Sequence, residues 1–245
     1  TMDAISLGAS DFMLKPSGSE NLAELQNHLL QLIRGYGRKY KLKKQKTNKS
    51  IDYKTDNYRP VITPTVKKFN KSVYSLPKQT PMKKTGKIEI IGIGISTGGP
   101  NALRKVFSSI DPDLNIPIVV VQHMPAGFTE EFAKSLDRIC PLSVKEAAEG
   151  DIIKAGRILI APGDKHMIIE KRSLATIVRL LETPPENGHK PSVDVLFSSI
   201  AKNFHNNSLA IIMTGMGKDG AREIGTIYKE GGYTIAQNEE SCVVF

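Results

Sequence analysis

The chain has 245 residues and a formal net charge of +9, enough length for one large domain or two smaller ones around a real core. No apolar stretch approaches the roughly 20 residues of a membrane span and no signal-peptide pattern opens it, so membrane insertion and secretion are not expected. Two cysteines, Cys140 and Cys242, make no disulfide framework, and a cytoplasmic location is the expectation.

Residues 1–37 read as the end of a domain that begins upstream. Ala9–Leu14 is a short strand candidate leading into Lys15-Pro16. Ser17 and Glu20 have capping-box spacing, and Leu22, Leu25, Leu29 and Leu32 recur at helical spacing until Gly35 and Gly37. Gly8-Ala9-Ser10-Asp11-Phe12 with Lys15-Pro16 resembles the closing part of a flavodoxin-like two-component receiver domain. That resemblance implies that Lys15 contacts a phosphoryl group, and that Mg2+ serves phosphorylation of the intact receiver. On its own, Lys15 reads equally well as a surface lysine.

Residues 38–87 hold sixteen Lys/Arg against Asp52 and Asp56, a balance of +14, whereas residues 88–245 hold sixteen against nineteen Asp/Glu, a balance of −3. The basicity therefore belongs to one segment. Its scattered Lys, Thr, Ser, Asn and Pro have no sustained apolar period, which is the composition of a flexible, self-repelling linker. A polyanion-binding arm is the functional alternative. It lacks ordered base-stacking residues, although Tyr53, Tyr58 and Tyr74 are interspersed, and nucleic acid is not the expected partner.

From residue 88 to 245 the pattern becomes regular. Ile88–Ile95 predicts a buried strand that stops at Ser96, and Pro100 suits a first helical turn. Ala102, Leu103, Val106, Phe107 and Ile110 mark one helical face. Ile116–Gln122 is a second buried strand, ending at His123. Thr129 is placed to cap a helix whose first turn carries Glu130 and Glu131. Ile158–Ala161, His166–Glu170 and Thr176–Leu181 follow without a helical pattern between them, which suggests an antiparallel insertion. Ser192 opens a helix, Leu209–Met213 is a third buried strand running into Thr214–Gly220, and a helix to Glu230 precedes a strand at Tyr233–Ala236. Strands alternating with helices predict an α/β fold with a doubly wound, mainly parallel sheet.

Three of those strands finish at Ser96, His123 and the loop holding Asp219, and a parallel sheet puts all three ends on one edge. Gly94-Ile95-Ser96-Thr97-Gly98 fits the G-x-S-x-G turn that exposes a nucleophilic hydroxyl. A serine, an imidazole and a carboxylate there have the chemistry of nucleophile, base and orienting group, and the turns around Ser96 and Met216 offer backbone N–H groups to an oxyanion. Taken singly, each residue has a plainer reading: a turn serine, a strand-end histidine, and a helix cap at Asp219. The order Ser, His, Asp differs from that of α/β-hydrolases, chymotrypsin and subtilisin, so a different doubly wound sheet is expected to carry the elbow. A dinucleotide loop would need glycine where Thr97 stands, a Walker loop is absent, and the histidines show no paired metal-ligand spacing. His166, after Gly163-Asp164, has two readings, a pocket-lining residue or, preferred, a strand-end structural residue, and Asp194 reads as first-turn helix stabilisation.

Ser96–Pro100, Gln122–Pro125, Ala161–Asp164 with His166-Met167, Pro191–Phe197 and Thr214–Gly220 together resemble the chemotaxis protein-glutamate methylesterase (protein-glutamine glutaminase) family, in that family's order across residues 88–245. The resemblance implies Ser96 as nucleophile, His123 as general base and then acid, Asp219 as the orienting carboxylate and the Met216 N–H as oxyanion donor, with no catalytic cofactor. It implies glutamate γ-methyl esters of methyl-accepting chemoreceptors as substrates, with methanol released, and receptor glutamines as substrates for deamidation. A chemotaxis histidine kinase would act through the receiver, and the enzyme would be recruited to membrane receptor clusters. The expected plan is a partial receiver (1–37), a linker (38–87) and a catalytic domain (88–245) whose closing segment lies beyond Phe245. A catalytically silent receptor-binding module or a polyanion-binding regulator of the same fold is the alternative.

Overall fold

The computed structural model describes residues 9, 11, 26–27, 29–38 and 86–245. The strands are β1 (Ile90–Ile95), β2 (Ile118–Gln122), β3 (Ser143–Glu146), β4 (Arg157–Ile160), β5 (His166–Lys171), β6 (Thr176–Leu181), β7 (Ser208–Ile212) and β8 (Tyr233–Ala236). Six of them form one sheet in the order β3-β4-β2-β1-β7-β8, with every neighbouring pair parallel. β5 and β6 form a separate antiparallel hairpin.

Side chains alternate across the sheet with period two. Ile91, Ile93, Ile95, Ile118, Val120, Ile158 and Ile160 face α1 (Gly99–Phe107) and α2 (Thr129–Asp137), which contribute Leu103, Phe107, Phe132 and Leu136. Ile90, Val119, Val121 and Leu159 face α3 (Val193–Phe204), α4 (Ala221–Lys229) and the hairpin. Both faces are covered, so the central strands read as continuous apolar runs. Gly92 and Gly94 lie on the α3 side. A Cβ at Gly92 would come 2.6 Å from Ile200 Cδ1, and one at Gly94 would come 2.3 Å from Val193 Cγ1. The two glycines thus let the start of α3 sit close against β1. The chain winds outward from β1 in one direction through β2 and in the other through β7, which makes the β1/β7 boundary the switch point of the sheet, where a crevice opens beyond the strand ends.

Several expectations change. Arg157–Ile160 belongs to the parallel sheet beside β2, so the antiparallel insertion is β5–β6 alone. The absence of a helical pattern had suggested antiparallel pairing, but an irregular connection joins β3 to its parallel neighbour β4. β3 escaped notice because only Val144 of its four residues is buried. Thr129 is the first residue inside α2 rather than its cap. Its fully buried hydroxyl donates to Glu146 and accepts the Gly163 N–H at 3.1 Å. Val106 is 41% exposed and Ile110 lies past the end of the short α1. A helical segment at residues 29–38 runs on through Gly35 and Gly37. Lys15 and residues 39–85 of the expected linker lie outside the described residues.

Candidate active site

Ser96 follows the last residue of β1. Gly98, at φ 78°, occupies the left-handed conformation that turns the chain into α1, and the Gly99 N–H closes the turn on the Ser96 carbonyl at 2.8 Å. The Ser96 N–H donates to the Thr214 carbonyl at 3.0 Å, which ties the elbow to the loop after β7. Gln122, at the end of β2 and 2% exposed, donates through Nε2 to the carbonyls of both Ser96 and His123, at 3.1 Å each. The His123 N–H donates to the Ile95 carbonyl at 3.2 Å. Two strand ends are thereby clamped side by side, with Ser96 on one and His123 on the other.

His123 Nε2 lies 2.8 Å from Asp219 Oδ2. The Asp219 side chain is 1% exposed and that of His123 12%, so the pair is dry on one side and reachable on the other. Oδ2 of Asp219 also accepts the Val193 N–H at 2.7 Å. Oδ1 accepts the Ser192 hydroxyl at 2.7 Å, Asn187 Nδ2 at 3.0 Å and the Asp194 N–H at 3.2 Å. Burial alone would raise this carboxyl, but the hydrogen bonds from His123, Ser192, Asn187 and Val193 outweigh it and hold Asp219 well below the usual carboxylate range. Asp219 is thus an anion pressed on the N-terminus of α3, where exposed N–H groups and the helix dipole favour negative charge. It does cap a helix, though not the one that follows it: α4 is preceded by Gly220.

Since Nε2 is engaged with Asp219, Nδ1 is the nitrogen that remains. It is buried and has no partner among the described residues. Ser96, His123, Met216 and Asp219 share a cavity of about 200 Å3, with Met213 and Val244 on its apolar wall. A larger groove of about 460 Å3, lined by Glu130, Lys134, Asp137 and Arg138, holds none of these groups. Ser96, His123, Asp219 and Met216, expected from separate loops, therefore meet in one place.

His166 is fully buried. Its Nδ1 accepts the Ser192 N–H at 3.1 Å and its Nε2 lies 3.0 Å from the Pro184 carbonyl, which braces the start of α3 from β5. Asp194 is also buried, accepting Asn187 Nδ2 at 2.8 Å and the Glu223 N–H at 3.0 Å, beside Arg222 at 3.7 Å. Asn187 and His189 were missed as site residues, and Ser192 was read only as the residue that opens a helix. The His189 ring stacks on His123, with centroids 3.9 Å apart and planes 11° apart. The available signal was Asn187-Gly188, a tight-turn dipeptide just before Pro191-Ser192. Asp11, upstream of the sheet, accepts the Gly98 N–H at 2.8 Å, and Arg38 pairs with Glu239 at 2.5 Å. Among the described residues no three His, Cys, Asp or Glu side chains gather as a metal site, and no helix is long and apolar enough to cross a membrane.

The solved structure of the Thermotoga maritima CheB methylesterase catalytic domain is similar to this chain, with a TM-score of 0.63 and 39% identity, over 65% of this chain and 85% of that one. Among curated relatives, the protein-glutamate methylesterase/protein-glutamine glutaminase of Treponema denticola is 55% identical over all of this chain and 66% of its own length. Its namesake from Treponema pallidum is 45% identical over all of this chain and 68% of its own length. The corresponding protein of Salmonella typhi is 37% identical over all of this chain and 63% of its own length. The chain thus spans about two thirds of the length of these relatives. Residues 91–245 match the family model described as CheB methylesterase, and with that match over more than half its length the chain belongs to the CheB methylesterase family.

Proposed function

We propose that the chain is a serine hydrolase acting on glutamate γ-methyl esters, and on glutamine γ-amides, of methyl-accepting chemotaxis receptors. Support comes from the family, from the names its relatives carry, and above all from one feature of the site. His123 is bonded to a buried, ionised Asp219 through Nε2, while Nδ1 is left unpaired in the cavity that holds Ser96. Ser96 Oγ attacks the γ-carbonyl carbon and its proton passes to His123 Nδ1. Asp219 keeps the other nitrogen protonated and stabilises the imidazolium. Charge building on the carbonyl oxygen meets backbone N–H donors, with Met216 assigned that role. Collapse of the tetrahedral adduct expels the methoxy group, which leaves as methanol with the proton from His123. Water then hydrolyses the acyl-serine by the same steps in reverse order. An amide substrate follows the same route and releases ammonia.

Control by a chemotaxis histidine kinase through a receiver domain, with Lys15 as the phosphoryl contact and Mg2+ serving only that phosphorylation, belongs to the same proposal. So do the domain plan 1–37, 38–87 and 88–245 and recruitment to receptor clusters. The Asp11 contact with Gly98 is consistent with an upstream unit resting on the elbow. The test is methanol release from methylated receptor by folded Ser96→Ala and His123→Ala variants. Each is expected to be inactive while still binding receptor, and turnover at the parent rate in either would refute the mechanism.

A further inference from the structure

Glu186-Asn187-Gly188-His189 is built as a two-residue hairpin. Asn187 and Gly188 have φ of 54° and 77°, the two left-handed residues of a type I′ turn. The turn is closed by Glu186 N–H to the His189 carbonyl at 3.1 Å and by His189 N–H to the Glu186 carbonyl at 2.9 Å. Its side chains go to three places. Glu186 takes Arg222 of α4 at 3.1 Å. Asn187 Nδ2 bridges Asp219 and Asp194. His189 lays its ring flat on His123.

The hydrogen bond to Asp219 fixes one atom of the His123 ring. It leaves the ring able to tilt, because the torsion that sets an imidazole's plane is broad and soft. Tilt would shift Nδ1 within the cavity that His123 and Ser96 share. A flat neighbour 3.9 Å away and within 11° of parallel removes that freedom, since any tilt drives one ring edge into the other ring. The two constraints are independent, one holding the ring along the bond and the other holding its plane. We propose that His189 is a positioning residue for the His123 base, its ring held by the Glu186–His189 turn so that the imidazole plane stays fixed in the cavity it shares with Ser96. The inference rests on the hydrolase reading above.

The site also keeps His189 suited to this role. Burial, reinforced by the neighbouring His123, pushes its proton affinity below the ordinary imidazole range, against a smaller opposing pull from Asp219. A neutral ring tolerates the positive charge that His123 acquires in the reaction, whereas a cation stacked on the same face would oppose it.

The test compares His189→Ala, which removes the face, with His189→Phe, which keeps a flat uncharged ring. His189→Leu stands in for the alanine variant should that one not fold. In methanol-release assays His189→Ala should lose about 10- to 100-fold in kcat with KM within about twofold, the scale of a small misplacement of a reacting group. His189→Phe should recover to within about threefold of the parent. Because stacking imposes a ring-current shift, the His123 ring-proton NMR signals should move in His189→Ala and stay displaced in His189→Phe, a readout that needs no turnover. Alanine with near-parental kcat, or phenylalanine as poor as alanine, overturns the positioning role. Failure of a fluorophosphonate to label Ser96 in the parent chain overturns the hydrolase reading, while the NMR comparison still decides how His123 is held.

Discussion

Asp219→Asn is the most informative single perturbation because it keeps the shape of the side chain and changes only what its atoms can accept. Every neighbour of the carboxylate is a donor. If the amide nitrogen takes the place of Oδ2, it opposes the Val193 N–H and can suit His123 only when Nε2 has lost its proton. The proton then sits on Nδ1, the nitrogen left for the Ser96 hydroxyl in the proposed reaction, which can no longer receive the hydroxyl's hydrogen. If the nitrogen takes the place of Oδ1, it opposes the Asp194 N–H and Asn187 Nδ2. Asn187 cannot reverse its amide without turning its oxygen toward the Asp194 carboxylate. The tautomer survives in this second arrangement, but a neutral amide no longer stabilises the imidazolium. Either way at least one buried donor faces another donor, at about 1–3 kcal/mol for each unsatisfied group. Loss of the orienting charge or tautomer costs roughly 10⁴-fold in kcat. Methanol release and urea unfolding measured on the same preparation check both figures. A variant within tenfold of the parent in kcat and within about 0.5 kcal/mol in stability, inside the scatter of a neutral surface change, would refute this account of the site.

Three other outcomes follow from the same geometry. The Asp219 carboxyl is held below its unfolded value of about 3.9, so the stabilisation it provides is complete above that pH and is lost as pH falls toward its folded value. Unfolding free energy should therefore fall less steeply from about pH 5 to 2 in Asp219→Asn than in the parent, and equal slopes would contradict the assignment. In Gly163→Ala the new Cβ would lie 2.2 Å from Ala126 N and 2.4 Å from Pro125 C, which are backbone atoms of the loop after His123 that no rotamer change can move. A stability loss of about 1–3 kcal/mol together with reduced kcat is expected, measurable by denaturant titration alongside kinetics. Gln122→Met keeps the volume but removes the clamp on the Ser96 and His123 carbonyls. It should cost about 0.5–1.5 kcal/mol per lost bond and lower kcat more than it raises KM, and an unchanged kcat would argue against a positioning role for Gln122.

The parallel sheet and the gathering of Ser96, His123 and Asp219 were legible because both rest on local patterns. Apolar runs mark the buried central strands, β1 and β2 stop beside Ser96 and His123, and the loop after β7 carries Asp219, so the topology brings the three to one edge. β3 and the parallel placement of β4 were not legible. A short edge strand with one buried side chain carries no periodic signal, and pairing direction depends on where a connection travels. The parts of the site contributed by Asn187 and His189 were hidden for a related reason. Asn187-Gly188 announces a turn, but what the turn touches is set by α3 and α4 packing beneath it, which no spacing within the dipeptide records. Thr129 shows the opposite error: its type and position suit a cap, yet the buried hydroxyl is used to link Gly163 and Glu146.

The plain reading of Asp219 as a helix cap and its reading as part of a reactive site are physically the same contacts. Asp194, in the first turn of α3, accepts the Glu223 N–H in the first turn of α4. Asp219, just before α4, accepts the N–H groups of Val193 and Asp194 at the start of α3. Each helix is therefore capped by a carboxylate from the other, and both positive ends converge on one polar pocket bridged by Asn187. The two anions are then told apart by their remaining partners. Arg222 stands beside Asp194, whereas the ion-pair partner of Asp219 is His123. The α3 end, with the Ser192 and Asn187 donors, can keep the buried Asp219 carboxylate ionised without a permanent cation, which leaves its attraction for positive charge to act on the imidazole when that ring takes a proton. Replacing Arg222 with Gln should therefore disturb Asp194 and stability more than catalysis. Loss of hydrolysis comparable to that of Asp219→Asn would show that the two carboxylates act as one unit.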